Sequence, residues 1–265
     1  MGIVIITIPG EAQRAFANSL HRLTRENVDL VVIQKQRPNH NSLFSRLKRL
    51  YRAVGFWALP TQIWYAVLLR LDQAAKKTLE YFRARTTPVS ESDYLAKTLE
   101  VISANDDEVL RVLQKLSPNL IVIWGSTIIK PRIIRTAKRA IHLHMGLCPY
   151  YRGAIANQHA VINGHLTRIG ATIHYAEEKV DAGDILATIT VDVRKPPQEL
   201  FRELNDRAVE RYLEIAHRLF VGEELARIPQ DISQGENLLL AHWTPKTRYR
   251  LARQIVDWER NGALI

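Results

Sequence analysis

The chain has 265 residues, 46 % of them hydrophobic and 24 % charged, a balance that excludes a disordered polypeptide and provides for one sizeable core with a small appendage. Lys and Arg number 37 against 27 Asp and Glu, a formal charge of +10, which favours a polyanionic partner such as RNA, a nucleotide-linked substrate or an anionic membrane surface. The single cysteine, Cys148, excludes an intramolecular disulfide, and residues 1–11 carry no basic region or cleavage site of a secretory signal, so the expected compartment is the cytoplasm.

Residues 3–8 are a β-branched run that stops at Pro9-Gly10, and a helix to about residue 22 and a second apolar run over 30–33 complete a βαβ opening. Residues 43–85 combine clustered Lys and Arg with Trp57, Trp64, Tyr65 and many aliphatics. Pro60, Thr61, Gln62 and Arg70 interrupt that stretch, which falls short of the roughly 20 predominantly apolar residues of a bilayer span. Two readings stand: a helical insertion over about 42–86 packed on the core, or a membrane-surface helical pair, basic on one side and aromatic on the other. Residues 86–92 read as a linker.

Asn105, Asp106 and Asp107 form an N-cap cluster for a helix carrying Val109, Leu110, Val112, Leu113 and Leu116, stopped by Ser117-Pro118. The run LIVIW at 120–124 reads as a buried parallel strand, and a helix around 131–138 leads to the strand that holds His142. A helix over 154–163 ended by Gly164, strands over 170–175 and 185–191, and an amphipathic helix over 201–220 follow. In that helix Leu204, Ala208, Tyr212, Ile215 and Leu219 keep helical spacing, and Glu203 and Arg207 pair at i,i+4. The tail ends in a last helix. This alternation predicts a Rossmann-like α/β fold, a mostly parallel twisted sheet with helices on both faces. The expected division is an α/β domain over 1–191 and a small helical C-terminal extension over 192–265.

The chemistry concentrates between residues 142 and 186. His142 and His144 stand one residue apart at the end of an apolar run, so an extended backbone points both imidazoles to one face. Asp181 follows in a VDAGD turn, and an acid-base histidine works best when a carboxylate fixes its tautomer and charge. Two histidines and a distant carboxylate are also a ligand set for zinc or iron; with no further ligand evident in the sequence, no metal is assigned. Trp124, Gly125, Ser126 and Thr127 lie at the C-terminal end of a central strand, where open α/β sheets place ligands. Arg152-Gly153, after Tyr150-Tyr151, suits either holding the loop or binding an anion. Cys148 reads as a packing residue, and His159, His165 and His174 receive no role.

The segments HLHMGLCPYYRG and VDAGDIL resemble the 10-formyltetrahydrofolate-dependent formyltransferases, with the likeness densest over about 97–191. That family's core motif reads Asn, any residue, His, then a loop containing Pro, Tyr, Arg and Gly. Its Asn position falls on His142, its catalytic His on His144 and its catalytic Asp on Asp181. The resemblance implies formyl transfer from 10-formyltetrahydrofolate to a primary amine. In that reading His144 donates to the developing oxyanion or shuttles protons, Asp181 orients and charges it, and His142 stands in for Asn. The backbone of Trp124, Gly125, Ser126 and Thr127, with Val180 beside Asp181, would line a pterin pocket, and Tyr151, Arg152 and Gly153 would bind substrate.

The expected acceptor is a small-molecule amine, an amino sugar carried by a nucleotide or a lipid. Nucleic acid is disfavoured because the tail is too short and too helical for the β-barrel expected in tRNA-directed relatives. Peripheral attachment to an anionic membrane through about 43–85, on its inner face, accompanies the lipid-linked reading. Three alternatives stay open: formyltetrahydrofolate hydrolysis, a metal-dependent hydrolase using the His-x-His pair and Asp181, and a catalytically silent binding module.

Overall fold

The computed structural model describes residues 2–35, 48, 50–52, 54–83 and 92–262. Five parallel strands, β1 (Ile3–Thr7), β2 (Val28–Gln34), β3 (Thr98–Val101), β4 (Leu120–Trp124) and β5 (Arg139–His144), make most of one sheet. The antiparallel pair β7 (Gly170–Tyr175) and β8 (Ile185–Thr190) extends it beyond β5, giving seven strands in the order β3-β2-β1-β4-β5-β7-β8. The short β6 (Tyr151–Gly153) pairs in parallel with β9 (Glu236–Leu238) in a separate two-stranded sheet.

Around these strands lie α1 (Glu11–Leu23), α2 (Leu59–Leu71), α3 (Gln73–Thr78), α4 (Asp107–Leu116), α5 (Pro131–Ile134), α6 (Ala156–Ile162), α7 (Pro197–Phe220) and α8 (Pro245–Asn261). Every residue of β1 and β4 is buried, which is why both read as unbroken apolar runs: central parallel strands are covered on both faces. The two-residue period of a strand then assigns alternate side chains to opposite layers. Ile3 and Ile5 pack with Phe16 of α1 and Tyr212 of α7, whereas Val4 and Ile6 pack with Val109 and Leu113 of α4 and Ile133 of α5. The Rossmann-like architecture expected from the alternating pattern is the one observed.

Three expectations need correcting or placing. The helix expected over 131–138 closes after Ile134, because the Thr136 hydroxyl and N–H both return to the Ile133 carbonyl, at 2.7 and 3.1 Å, and divert the chain into β5. The helix expected from residue 201 begins at Pro197, a residue suited to a first helical turn. Its Leu200, Phe201, Leu204, Ala208, Tyr212 and Ile215 are all buried in the main core, so the first helix of the C-terminal extension packs on the sheet. The linker expected over 86–92 lies outside the described residues except for Ser92, as does much of the insertion before Phe56.

The described part of the insertion packs against the tail. Leu69, Ala75 and Ala252 form a small apolar cluster, the Lys246 N–H donates to Gln62 Oε1 at 3.0 Å, and Arg253 pairs with Asp72 at 3.3 Å. The outer side of α2 and the turn before it stay exposed, with Trp57 91 % and Leu71 73 % accessible. Among the described residues no helix is long and apolar enough to cross a membrane.

Tyr212 ties α7 to the middle of the sheet. Its ring stacks on Phe16 at 5.2 Å. Its hydroxyl accepts from the Ile123 N–H at 3.0 Å and lies 2.9 Å from the Ile123 carbonyl and 3.0 Å from that of Ile141, bridging β4 and β5 just below the ends that carry the chemistry. Replacing Tyr212 by Phe keeps the ring and orphans these buried backbone groups, so chemical denaturation should show a loss of about 1–3 kcal/mol; unchanged stability would contradict this role.

Candidate active site

Strand β5 delivers His142 and His144 at its C-terminal end while Leu143, between them, points into the core. Because β7 runs antiparallel beside β5 with His174 in register opposite His142, a third imidazole joins them. The rings of His142 and His174 meet edge to face, with centroids 5.3 Å apart. The loop from β7 to β8 returns over this group and carries Asp181 with φ +48, a left-handed conformation that Asp tolerates better than most residues.

The Asp181 carboxylate is buried and fully surrounded. Oδ1 accepts from His142 Nδ1 at 3.0 Å and lies 3.4 Å from His174 Nε2; Oδ2 accepts from the Gly153 N–H at 2.8 Å and lies 3.3 Å from His144 Nδ1. Behind His144, Nε2 donates to the Tyr151 carbonyl at 2.9 Å. Behind His174, Nδ1 donates to the Tyr175 carbonyl at 2.7 Å. Both nitrogens of those two rings therefore face protein acceptors, whereas the Nε2 of His142 has no protein partner recorded among the described residues, on a ring that lines a cleft.

Two glycines permit this arrangement. Gly153 has φ +81, and a Cβ there would lie 2.4 Å from the Leu238 carbonyl, so only glycine brings that N–H to Asp181. A Cβ on Gly146 would lie 2.3 Å from His144 Nε2 and 2.8 Å from the Tyr151 carbonyl, severing the bond between them.

Burial alone would favour a neutral Asp181, but the imidazoles around it, His144 first and then His142 and His174, outweigh it and hold the carboxyl well below the usual carboxylate range. Burial, first, with the neighbouring imidazoles, lowers His144 against the pull of Asp181 and the Tyr151 carbonyl. Cys148, its Sγ 3.6 Å from the Asp181 carbonyl oxygen, is pushed up to about 12 by burial and by the Asp181 charge, which leaves it a packing thiol.

The cluster opens onto a cleft of about 560 Å³ at the C-terminal ends of β4 and β5. Trp124, Gly125, Ser126, Thr127 and Val180, the residues expected to line a ligand pocket, all line it, as do His142, His144, His174, Asp181 and Gly153. The first of these loops is anchored: Thr127 Oγ1 donates to Gln34 Oε1 at 3.0 Å, and Asn105 Nδ2 to the Ile128 carbonyl at 2.9 Å.

Two expected substrate-binding side chains lie elsewhere. Tyr151 is buried, its hydroxyl 2.6 Å from His165 Nδ1 and accepting from Asn163 Nδ2 at 3.1 Å. Arg152 is buried too and donates to the Ile232 carbonyl at 3.3 Å. Pairing of β6 with β9 turns both away from the cleft and leaves backbone facing the cluster: the Tyr151 carbonyl and the Gly153 N–H. His174 is the converse case, a site residue given no role from sequence. Its signal is the strand alternation that puts Thr172 and His174 on one face, but only the register with β5 shows what they meet.

Residues 64–217, more than half of the chain, match the sequence profile of the formyl transferase family. A methionyl-tRNA formyltransferase of Syntrophomonas wolfei is 33 % identical over 155 residues, covering 56 % of this chain and 49 % of its own length, so the chain spans about half the length of such curated relatives. Among solved structures, a sugar N-formyltransferase from a Shewanella species superposes with a TM-score of 0.55 at 13 % identity, over 96 % of this chain and 88 % of that one. The N-formyltransferase of Helicobacter canadensis, solved with folinic acid and dTDP-3-aminofucose, gives 0.51 at 11 % identity over 90 % and 71 %. With its parallel sheet, its C-terminal cleft and its His-x-His and VDAGD segments in one place, this chain belongs to the formyl transferase family.

Proposed function

We propose that the protein transfers a formyl group from 10-formyltetrahydrofolate to a primary amine, on an amino sugar carried by a nucleotide or a lipid. The observation that carries this reading is the buried Asp181 carboxylate among three imidazoles at the wall of a cleft lined by the Trp124–Thr127 loop. Transfer requires the amine lone pair to bond the formyl carbon, the carbonyl oxygen to carry negative charge meanwhile, and the bond from that carbon to N10 to break. The amine loses a proton and N10 gains one.

His142 is placed for that exchange. Its Nδ1–H is committed to Asp181, which fixes the tautomer with a lone pair on Nε2, so the ring accepts the amine proton there and returns it to the leaving nitrogen. The ionised Asp181 stabilises the imidazolium formed in between. His144 stands behind, locked to the Tyr151 carbonyl, with its Nδ1 3.3 Å from the other carboxylate oxygen. Backbone groups of residues 124–127 and Val180 would hold the pterin edge. The His142 imidazole in the position of the family's Asn thus takes the proton-carrying duty that an amide cannot perform.

The amino-sugar acceptor draws support from the sugar N-formyltransferases among solved structures of this fold, such as that of Shewanella and that of Helicobacter canadensis solved with dTDP-3-aminofucose. Incubation with 10-formyltetrahydrofolate and a panel of nucleotide-linked amino sugars, following tetrahydrofolate release, should show release only with an acceptor. His142→Gln should lower kcat about 10²–10⁴-fold with little change in thermal stability, and Asp181→Asn should lower it as far while also lowering thermal stability, because it removes the buried charge that its partners hold. Release without acceptor would replace this reading with hydrolysis, and release with charged initiator tRNA alone would overturn the acceptor class.

We further infer that the exposed face of α2 and its preceding turn rests on an anionic bilayer. Phe56, Trp57, Ile63, Trp64 and Leu71 are each more than half exposed, and Lys48, Arg52, Arg70, Lys76 and Lys77 accompany them. Tryptophan beside lysine and arginine suits the headgroup boundary of an acidic membrane, whereas a second copy would set the same cations against one another. Co-sedimentation should retain the protein on vesicles of phosphatidylcholine with phosphatidylglycerol and not on phosphatidylcholine alone, and Trp57→Ser with Trp64→Ser should weaken retention. Equal retention by both lipids, or none, would contradict it.

A further inference from the structure

The geometry points to a site for a divalent ion of the zinc class formed by His142 Nδ1, His174 Nε2 and Asp181 Oδ1, whose occupation withdraws His142 and Asp181 from proton transfer. The second clause rests on the formyl-transfer reading; the first does not. The carrying observation is His174. Its side chain is 2 % exposed, and its Nδ1 lies 2.7 Å from the Tyr175 carbonyl, an atom that only accepts, so Nδ1 carries the hydrogen. In the neutral ring Nε2 then presents a lone pair, buried and without a hydrogen-bond partner, 3.4 Å from Asp181 Oδ1. Two lone pairs directed at one another in a buried site call for a positive charge between them, which either a proton on Nε2 or a metal ion supplies.

The surroundings fit a metal ion in that place. The ligand atoms of His142, His174 and Asp181 all lie within 4.8 Å of one another. A tetrahedral zinc with bonds of about 2.0–2.2 Å needs its ligands about 3.4 Å apart, within about 1.4 Å of the separations present. A carbonyl accepting from the other ring nitrogen, as Tyr175 does for His174, is the outer partner that fixes a ligating histidine's tautomer. Oδ2 is held by the Gly153 N–H, which leaves Oδ1 as the ligating oxygen. Two nitrogens and one carboxylate oxygen suit zinc, iron or cobalt, and three protein ligands leave a fourth position open on the cleft side, where His142 lies. The set exists because imidazole stands at residue 142; an amide there would remove one of its two nitrogens.

Untagged protein, stripped with EDTA and dialysed, should bind one zinc ion per chain by calorimetry near pH 7.5. His174→Gln should weaken that affinity at least tenfold, and His142→Asn, on the more accessible ring, should do the same if the first variant fails to fold. Zinc should suppress tetrahydrofolate release and EDTA restore it. Absence of binding at micromolar zinc, or binding undiminished in the variants, would overturn the site; binding with formyl transfer unaffected would overturn the competition. A protein inert toward every amine would defeat the functional reading and leave the calorimetric test of the metal site intact.

Discussion

One buried negative charge organises the functional end of this molecule. The Asp181 carboxylate meets three imidazoles and a backbone N–H within 3.4 Å, drawn from three stretches of chain: His142 and His144 from β5, His174 from β7, Gly153 from the end of β6. A carboxylate removed from water without such partners would cost several kcal/mol. The loop that carries Asp181 is therefore held down by its own charge, and the left-handed backbone there persists because four partners define where the side chain must be. The glycines at 146 and 153 belong to the same constraint, since a side chain at either position would displace a group that the cluster needs.

The rest of the fold keeps those four pieces in register. The all-buried β1 and β4 form the rigid middle of the sheet, and α7 lies across it with Tyr212 bridging β4 and β5 immediately before the histidines. On the open side, the Trp124–Thr127 loop is tied back to Gln34 and, one residue beyond, to Asn105, which gives the cleft a fixed wall opposite the charged cluster. Apolar walls with one convergent polar group are the usual architecture of a site that must orient a heterocycle and exclude water from a reacting carbonyl. Imidazole at residue 142 changes what that polar group can do: it adds a titratable ring and, with His174, a nitrogen pair of the kind that binds transition metals.

Much of this was legible in the sequence, for definite reasons. Apolar runs over 3–7 and 120–124 announce central strands because nothing polar survives between two helical layers. The one-residue spacing of His142 and His144 puts both on one face whatever the partner strand. His174 was not legible, because a strand's alternation tells which face a residue occupies and not which residue it meets across the ladder. Tyr151 and Arg152 show a related limit: their segment does contribute to the cluster, but through a carbonyl and an N–H that no residue type advertises. The position of α7 in the core follows from a wide apolar stripe that the sequence displays, yet where that stripe docks is set by tertiary packing alone.

The most direct test of the account is the protonation state of Asp181 in the folded protein, followed through its carboxyl carbon by NMR in protein labelled with ¹³C at aspartate, with Asp181→Asn to assign the signal. A carboxyl depressed by its partners adds stability that is present above its unfolded-state value and lost as pH falls through the folded one. Asp181 should accordingly remain ionised on acidification for as long as the native spectrum persists. A titration near the ordinary aspartate value of 3.8, with the fold still intact, would mean that the imidazoles do not hold the charge and would contradict the arrangement on which both the proposed chemistry and the metal site depend.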